Sequence, residues 1–590
     1  MKIDLHVHSK FSDQGSEWIL RKIGCSESYS EPLQIYRIAI QRGMNRVTIA
    51  DHNSILGCLE IAHLPNTFIS EEVTTYFPDH LGEVHVLTLN IDEEKHRRIQ
   101  KLRRNIFDLV GYLNEEGIPH VLAHPLYGLG DPLPYDIFEQ FLLLFRNFEL
   151  NGARAEEQNQ TLKAILSSLR PEDIERIAER HGIRARGPEP WLKNLTGGSD
   201  DHSLLYVACH YTEVPGAQSL EDFFQGLENG AARVGGGASR PEDLAHSVYS
   251  IAYQFYRDRL GLRQTGRPGA FLRFLDQSLL LGTKGRKPFL SRFARFWPRR
   301  GVGSLKDLAF HAGWGLLFQR EVLKVLREDP QLERILKSGT EDPGDCRNRW
   351  FTFAKAVSNR VLVQLGGRIL QYADALTCGF LPLLTSIGFA GTLVLLAGPY
   401  IGAFAHFAGN RQSSRQVLAR LFPSLPGNGG EKTGSSIGCF YDTLEGDFGP
   451  LFSVREQLPG RSMADLRLTE ITCHDQGIVT GHEVKIFRPI SRFGFPVDPA
   501  SHFPVPPFLD VLKYCYDDNF NRIHSFTPGP MGLTALAVSR ILQLPIRATI
   551  HHGLLHFARR FFADPSEEGR FWKYISWYYN RMDEVNVPSH

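Results

Sequence analysis

Apolar and polar positions alternate from the first residues, with Ile3, Leu5 and Val7 on one face of a predicted strand and Asp4, His6 and His8 on the other. A helical pattern begins near Pro32, with Leu33, Tyr36 and Ile40 on one stripe and Gly43 as its stop. Strand-like runs recur at 45–51, 84–91, 120–124 and 148–152, separated by helical stretches such as 95–116 and 171–181. Pro171 suits a first helical turn and Gly182 a helix end. Repeated β-then-α order predicts an α/β domain over 1–235 with parallel strands, in an open sheet or a barrel.

The rhythm changes over 236–430, where Arg-rich segments and aromatic helical runs predict a mostly helical connecting region. Within it, 375–410 carries no Asp, Glu, Lys or Arg, but Pro382, Pro399 and five glycines from Gly379 to Gly402 interrupt it. Two readings stay open: a buried helical pair packed between domains, or a bilayer span or re-entrant hairpin that would make the protein membrane-associated. A Pro/Gly/Ser linker at 423–436 predicts a boundary, after which strand and helix alternate again over 431–590. There, strands are expected at LTEITCHD and EVKIFRP, a short helix at 453–458 and another from Pro507 to Asp517. The stretch from Arg522 to Gly553 reads as strand, Pro/Gly turn, helix and strand, a Rossmann-like unit.

Length and composition narrow the classes. A chain of 590 residues exceeds one hydrophobic core, and 42% hydrophobic against 22% charged residues is ordinary globular composition. Sixty-six Lys+Arg against 65 Asp+Glu leave a net charge of +1, so no overall basic field exists to recruit nucleic acid, and none is expected as a partner. The eight cysteines form no CxxC pair, which argues against a disulfide framework or a thiolate zinc site and fits a reducing cytoplasm. The N-terminus lacks the apolar stretch of a secretory signal.

The chemistry lies in the imidazoles and carboxylates. His6 and His8, two apart on a strand, project from one face and can meet one cation. Asp13 follows that strand, His52 follows Asp51 at the end of the next, and Glu72 follows a third. His85 lies in a later strand, His124 ends the 120–124 run, and Asp200, Asp201 and His202 follow a Gly-Gly turn. A barrel would gather groups at strand ends into one mouth. The donor set suits zinc, manganese or iron.

Through HVH at 6–8, ADHN at 50–53, EEV at 71–73, AHP at 123–125 and GSDDH at 198–202, in that order, the first domain resembles the PHP (polymerase and histidinol phosphatase) family. The resemblance implies a distorted (β/α)7 barrel carrying two or three divalent ions. It implies His6, His8, Glu72 and Asp200 on one ion, Glu72, His85 and His124 on a second, and Asp13, His52 and His202 on a third. Asp51 is then a partner that orients an imidazole, Asp201 a bystander, and Glu71 a surface carboxylate. Asp13, His52 and Arg154 are expected at the reacting group, with Arg154 and Arg186 as candidate grips on a phosphorylated small molecule. The expected reaction is hydrolysis of a phosphate ester, water attacking phosphorus in line.

The last segment resembles the N-terminal lobe of a retaining GT-B glycosyltransferase, through FYDTL at 440–444, SFTPGPMGL at 525–533, TIHHG at 549–553 and WYYNRMDEVNVPS at 577–589. It departs from that pattern at EGDFGP and at His551-His552-Gly553, and the sequence stops at His590, before a second Rossmann lobe. The expectation is an incomplete transferase module, with His551 as a substrate-site residue if another chain supplies the missing lobe. An alternative of another class is an acceptor-binding subunit at a membrane surface in glycan assembly, with the first domain structural or regulatory.

Overall fold

A computed structural model describes residues 1–12, 26–79, 82–127, 134–259, 279, 343–374, 380–421, 435–442, 466–475, 484–494, 502–550 and 565–587. The expected helix at 453–458 and most of the linker at 423–436 lie outside these residues. The chain divides into two compact units, Met1–Arg300 with Arg334–Phe351 and Asn410–Asn428, and Gly301–Glu333 with Thr352–Gly409 and Gly429–His590.

In the first unit, β1 (Lys2–Ile3) leads into residues 6–8, and α1 (Pro32–Gln41) and α2 (Leu56–Ile61) follow. Next come β2 (Ser70–Tyr76), β3 (Glu83–Leu89), α3 (Glu93–Leu102), α4 (Ile106–Glu115) and β4 (His120–Leu122). The chain continues through α5 (Tyr135–Leu144), β5 (Asn147–Asn151), α6 (Glu156–Ser168), α7 (Pro171–His181) and β6 (Asn194–Gly198). It closes with β7 (His210–Glu213), α8 (Leu220–Glu228), β8 (Arg233–Gly236) and α9 (Pro241–Arg259). Local signals set several bounds: Pro171 opens α7 and Gly182 ends it at φ 64°.

Strands β2 to β6 form one sheet in that order. β4, β5 and β6 are parallel, whereas β3 is antiparallel to both β2 and β4. This departs from the all-parallel expectation. The link between β2 and β3 is too short for the crossover that parallel neighbours need, so the two pair as a hairpin. Beyond β6, Asp200 N–H donates to the His6 carbonyl (2.6 Å) and His8 N–H to that of Asp201 (3.0 Å). Ala50 N–H donates to the Val7 carbonyl, and parallel bridges join Val47 to Thr67 and His52 to Glu72. The 45–51 run therefore sits between the first strand and β2, although only bridges mark it.

The main core buries Val86, Leu122, Phe148 and their strand neighbours under apolar stripes of α4 to α7. On α1 the buried stripe is Pro32, Ile35, Ile38 and Ala39, while Leu33 and Ile40 are 38% exposed. The expected stripe is thus rotated, because this helix offers two apolar faces and the Val7, Val47 and Ile49 cluster takes the one with Ile35.

Two long helices follow, α10 (Pro343–Asp374) and α11 (Phe380–Leu421). Residues 380–410 run as one helix through Pro399 rather than as a pair. No helix among the described residues is long and apolar enough to cross a membrane.

In the second unit, β9 (Ser435–Phe440), β10 (Leu466–Cys473) and β11 (Val484–Phe487) precede a small antiparallel pair, β12 (Ser491–Gly494) with β13 (His502–Val505). Then come α12 (Phe508–Asp517), β14 (Arg522–Ser525), α13 (Pro530–Leu542), β15 (Ile546–Thr549), α14 (Pro565–Tyr579) and β16 (Glu584–Asn586). Six strands form one wholly parallel sheet in the order β11, β10, β9, β14, β15, β16.

Candidate metal centre

The pairings of the first unit bring residues 6–8, 52, 72, 85, 124 and 200–202 to one end of the sheet. Residues 6–8, 52, 124 and 200–202 stand at or just beyond the C-terminal ends of their runs, whereas Glu72 and His85 are each third in β2 and β3, which pair antiparallel. His124 and Asp200 adopt left-handed backbone, at φ 31° and 50°. Non-glycine residues rarely hold it without compensating contacts, and such strain clusters at functional sites.

Four donor atoms converge first. His6 Nε2 and His8 Nε2 lie 3.0 Å apart, each 3.2 Å from Glu72 Oε2 and 3.5 Å from Asp200 Oδ1. Their tautomers follow from the neighbours. His6 Nδ1 is 2.9 Å from Glu149 Oε1, a carboxylate that only accepts, so the proton sits on Nδ1. Ser12 gives its single hydroxyl proton to Asp51 and so accepts from His8 Nδ1 at 2.9 Å. As neutral rings, both would present Nε2 lone pairs to each other and to two carboxylate oxygens. That arrangement is repulsive without positive charge at its middle. A cation about 2.0–2.1 Å from four tetrahedral donors separates them by roughly 3.3–3.4 Å, so the donors fit one.

The other oxygen of Glu72 serves a second group. Oε1 lies 3.0 Å from His85 Nδ1 and 3.1 Å from His124 Nε2, while His52 Nδ1 is 3.2 Å from Oε2. His85 Nδ1 and His52 Nδ1 are buried but not aligned to hydrogen-bond any partner. Orphaned nitrogens this close to a carboxylate again call for a cation.

The electrostatics agree. Burial works against a charge on His8, yet hydrogen bonds to Asp200 and Glu72 hold its pKa up to about 10. Burial likewise opposes ionisation of Glu72, but His52, His6 and His85 hold it well below the usual carboxylate range. Without a metal, protons on histidines supply the charge the carboxylates demand. Burial pushes His124 below its ordinary value, and burial with His8 alongside pushes His202 down to about 4, leaving both rings neutral at pH 7.

A supporting layer was only partly legible in the sequence. Asp51 accepts from Ser9 (backbone N–H 2.6 Å, hydroxyl 2.7 Å) and from Ser12, and so orients His8 through Ser12. Asp201 is buried, its carboxylate held by Ser203 and the Tyr206 N–H. Glu149 and Glu27, which no pattern singled out, are both buried at the site. Glu149 receives His6 and the His124 N–H. The signal that could have found it is a carboxylate inside an apolar strand, FELNG. Glu71 corrects the expectation of a surface carboxylate: β2 alternates faces, and on its far side Glu71 is fully buried against His96 and Gln100 of α3.

Arg154 reaches the site, donating to Asp200 Oδ2 at 3.3 Å with its guanidinium 3.7 Å over the Tyr127 ring. Arg186 does not. It precedes β6, its N–H bonds Leu143 before β5 and its side chain meets the Val110 carbonyl, at the opposite end of the strands from the donors. Asp13 and His551 lie outside the described residues. The cavity over the cluster is lined by Glu27, His52, Glu72, His85, His124, Arg154 and His202, and walled by Leu244, Ser247, Val248 and Ile251 of α9.

In the second unit the Rossmann-like turn leads to the N-terminus of α13, where a phosphate could sit. Asp442, at the end of β9, already fills it: its carboxylate accepts the Met531 N–H (2.7 Å) and the Thr527 hydroxyl (2.6 Å).

No family model matches the chain. An uncharacterized protein of Methanocaldococcus jannaschii is 37% identical over 100 residues, which are 16% of this chain and 54% of that protein. The chain thus spans about half the length of the curated relative it matches. Among solved structures, a proposed metal-dependent phosphoesterase from Bifidobacterium adolescentis is similar over 34% of this chain and 87% of its own, at 16% identity and a TM-score of 0.22. An amidohydrolase from Chromobacterium violaceum, solved with sulfate and without metal, is similar over 40% of this chain and 98% of its own, at 16% identity and a TM-score of 0.26.

Proposed function

We propose that the first unit is a metal-dependent phosphoesterase of the PHP type, in which Glu72 bridges two divalent cations. One observation carries this reading: His6, His8 and Asp200 converge on one oxygen of Glu72, and His85 and His124 on the other. A seven-stranded barrel is our reading of this unit, counting residues 45–51 as a strand, and the links of the first strand to residues 50 and 200–201 support it. Imidazole and carboxylate donors suit zinc, manganese or iron.

Divalent cations held there supply Lewis-acid charge at phosphoryl oxygens and lower the pKa of water. The protein's own residues do the rest. Arg154, held by Asp200 and Tyr127, presents its guanidinium to a phosphoryl oxygen. The α9 wall shields the leaving group from bulk water. In hydrolysis the water oxygen bonds to phosphorus, the ester P–O bond breaks, and the alcohol departs with a proton.

The second unit, with its parallel sheet, is proposed as a module of the GT-B N-terminal-lobe type. Because Asp442 occupies the N-terminus of α13, no phosphate of a nucleotide is expected there.

The test is metal content together with hydrolysis of an aryl phosphate, comparing wild type with a His6→Ala/His8→Ala variant. Metal-dependent turnover that disappears in the variant is the expected result. A variant that keeps both its metal and its turnover overturns the reading.

A further inference from the structure

Four residues of α9 that line the cavity, Leu244, Ser247, Val248 and Ile251, stand at i, i+3, i+4 and i+7, the spacing of one helical face. Three of the four are apolar. Ile251 also packs with Phe255 and Tyr29, so the stripe runs on into a small apolar cluster. The same cavity is floored by imidazoles and carboxylates, with the Arg154 guanidinium beside Asp200.

Polar groups along the α9 side are already engaged within the protein. Ser203 gives its hydroxyl proton to Asp201 Oδ1 at 2.7 Å, so in its 3.2 Å contact with Ser247 it accepts, and the Ser247 proton is the one used. The Asp243 carboxylate, which also lines the cavity, accepts from Arg347 Nη1 at 2.9 and 3.1 Å and from the Arg240 N–H at 2.8 Å. The Tyr206 hydroxyl is 3.1 Å from His246 Nδ1. Ser239 lies by the floor instead, its N–H on the Arg154 carbonyl. Gln254, further along α9, donates to the Ser203 carbonyl at 3.2 Å, which ties the wall to the segment that carries Asp200 and His202. A ligand hydroxyl pressed against this wall loses its water without gaining a hydrogen bond, whereas an apolar group is favoured there.

We infer that the site takes a phosphate ester whose departing alcohol is compact and apolar, an aryl or alicyclic group, in preference to a sugar or a nucleoside, with Leu244 and Val248 as specificity-determining residues. The inference rests on the proposed phosphoesterase reading, which puts the phosphoryl group at the charged floor and so turns the alcohol toward α9.

The experiment compares cyclohexyl phosphate with myo-inositol 1-phosphate, which carries the same ring with a hydroxyl on each remaining carbon. Full-length wild type, Leu244→Asn and Val248→Thr are used, loaded with zinc and, separately, with manganese, each checked for folding by circular dichroism. Wild-type kcat/KM for cyclohexyl phosphate is expected to exceed that for the inositol phosphate by about 100-fold or more, the scale on which an apolar pocket rejects added hydroxyls. Each variant is expected to narrow that ratio by about 10-fold, through a raised KM for cyclohexyl phosphate with kcat little changed, a split that a general loss of structure would not produce. A ratio near one in wild type, or one that favours the inositol phosphate, overturns the inference. So does a preference that the variants keep in full, since it would then arise away from α9. If Leu244→Asn does not fold, the nearly isosteric Val248→Thr carries the test. The two readings fail separately. Metal-dependent hydrolysis of both esters at like rates leaves the phosphoesterase standing without this preference. Calorimetric binding of cyclohexyl phosphate over the inositol phosphate, without turnover, leaves the preference standing without the phosphoesterase. Neither binding nor turnover of either ester overturns both.

Discussion

Glu149 touches no proposed cation, yet it fixes the tautomer of His6 and receives the strained His124 backbone. Partners of this kind contribute about 10–100-fold to metal affinity. Glu149→Gln, which keeps the shape and loses the charge, is expected to weaken zinc binding by that factor, measured by chelator competition, with activity restored by excess metal. Asp442 offers a prediction on pH. Burial raises its pKa from 3.8 to about 6, against hydrogen bonds from Thr527 and the backbone N–H groups of Met531, Gly532 and Gly529. Between those values the native state holds more protons than the unfolded state. Its contribution is therefore fully present below pH 4 and lost as pH rises through 6, by about 3 kcal/mol at 1.36 kcal/mol per unit. In urea unfolding at pH 4 and pH 7, wild type should lose stability relative to Asp442→Asn on going to the higher pH.

Elements hold the donors at close quarters where a single methyl group matters. A Cβ on Gly198, at the end of β6, would collide with the His6 side chain and come within 2.7 Å of Glu149 Oε1 and 2.9 Å of the His6 backbone nitrogen. Overpacking of this kind costs about 1–3 kcal/mol. Gly198→Ala is expected to lower stability by that amount in denaturant titrations and to reduce bound metal, because β6 and residues 6–8 must separate. Helix α9 supplies the cavity wall without supplying a proposed ligand. Ser247→Phe should therefore leave metal content unchanged and lower kcat/KM for an aryl phosphate by about 10-fold or more, the scale of small changes in pocket shape. An unchanged kcat/KM would place the substrate elsewhere.

For the whole molecule, the proposed cations are expected to couple to the fold of the first unit, where the donors lie. Every donor discussed comes from Met1–Arg300, from segments distant in sequence, and a cation that binds only the folded arrangement stabilises it by about 4 kcal/mol at a thousandfold excess over its Kd. Chelation should therefore lower hydrogen-exchange protection in β2 to β6 while leaving β9, β14 and β15 unaffected. Loss of protection across both sheets, or in neither, would contradict this coupling.

The sequence by itself determined what local physics decides. Period-two alternation placed β3, β5 and β10, while proline and glycine set both ends of α7. Residue types in order named the donor atoms that the fold gathers around Glu72. Tertiary structure decided what depends on pairing and on which face is covered. The hairpin of β2 with β3, the rotation of α1 and the burial of Glu71 all follow from neighbours far along the chain. So do the separation of Arg154 from Arg186 and the arrival of Glu27, since an irregular segment carries no period from which direction or depth can be read. A side chain's chemistry is local, but the charge it faces belongs to the folded chain.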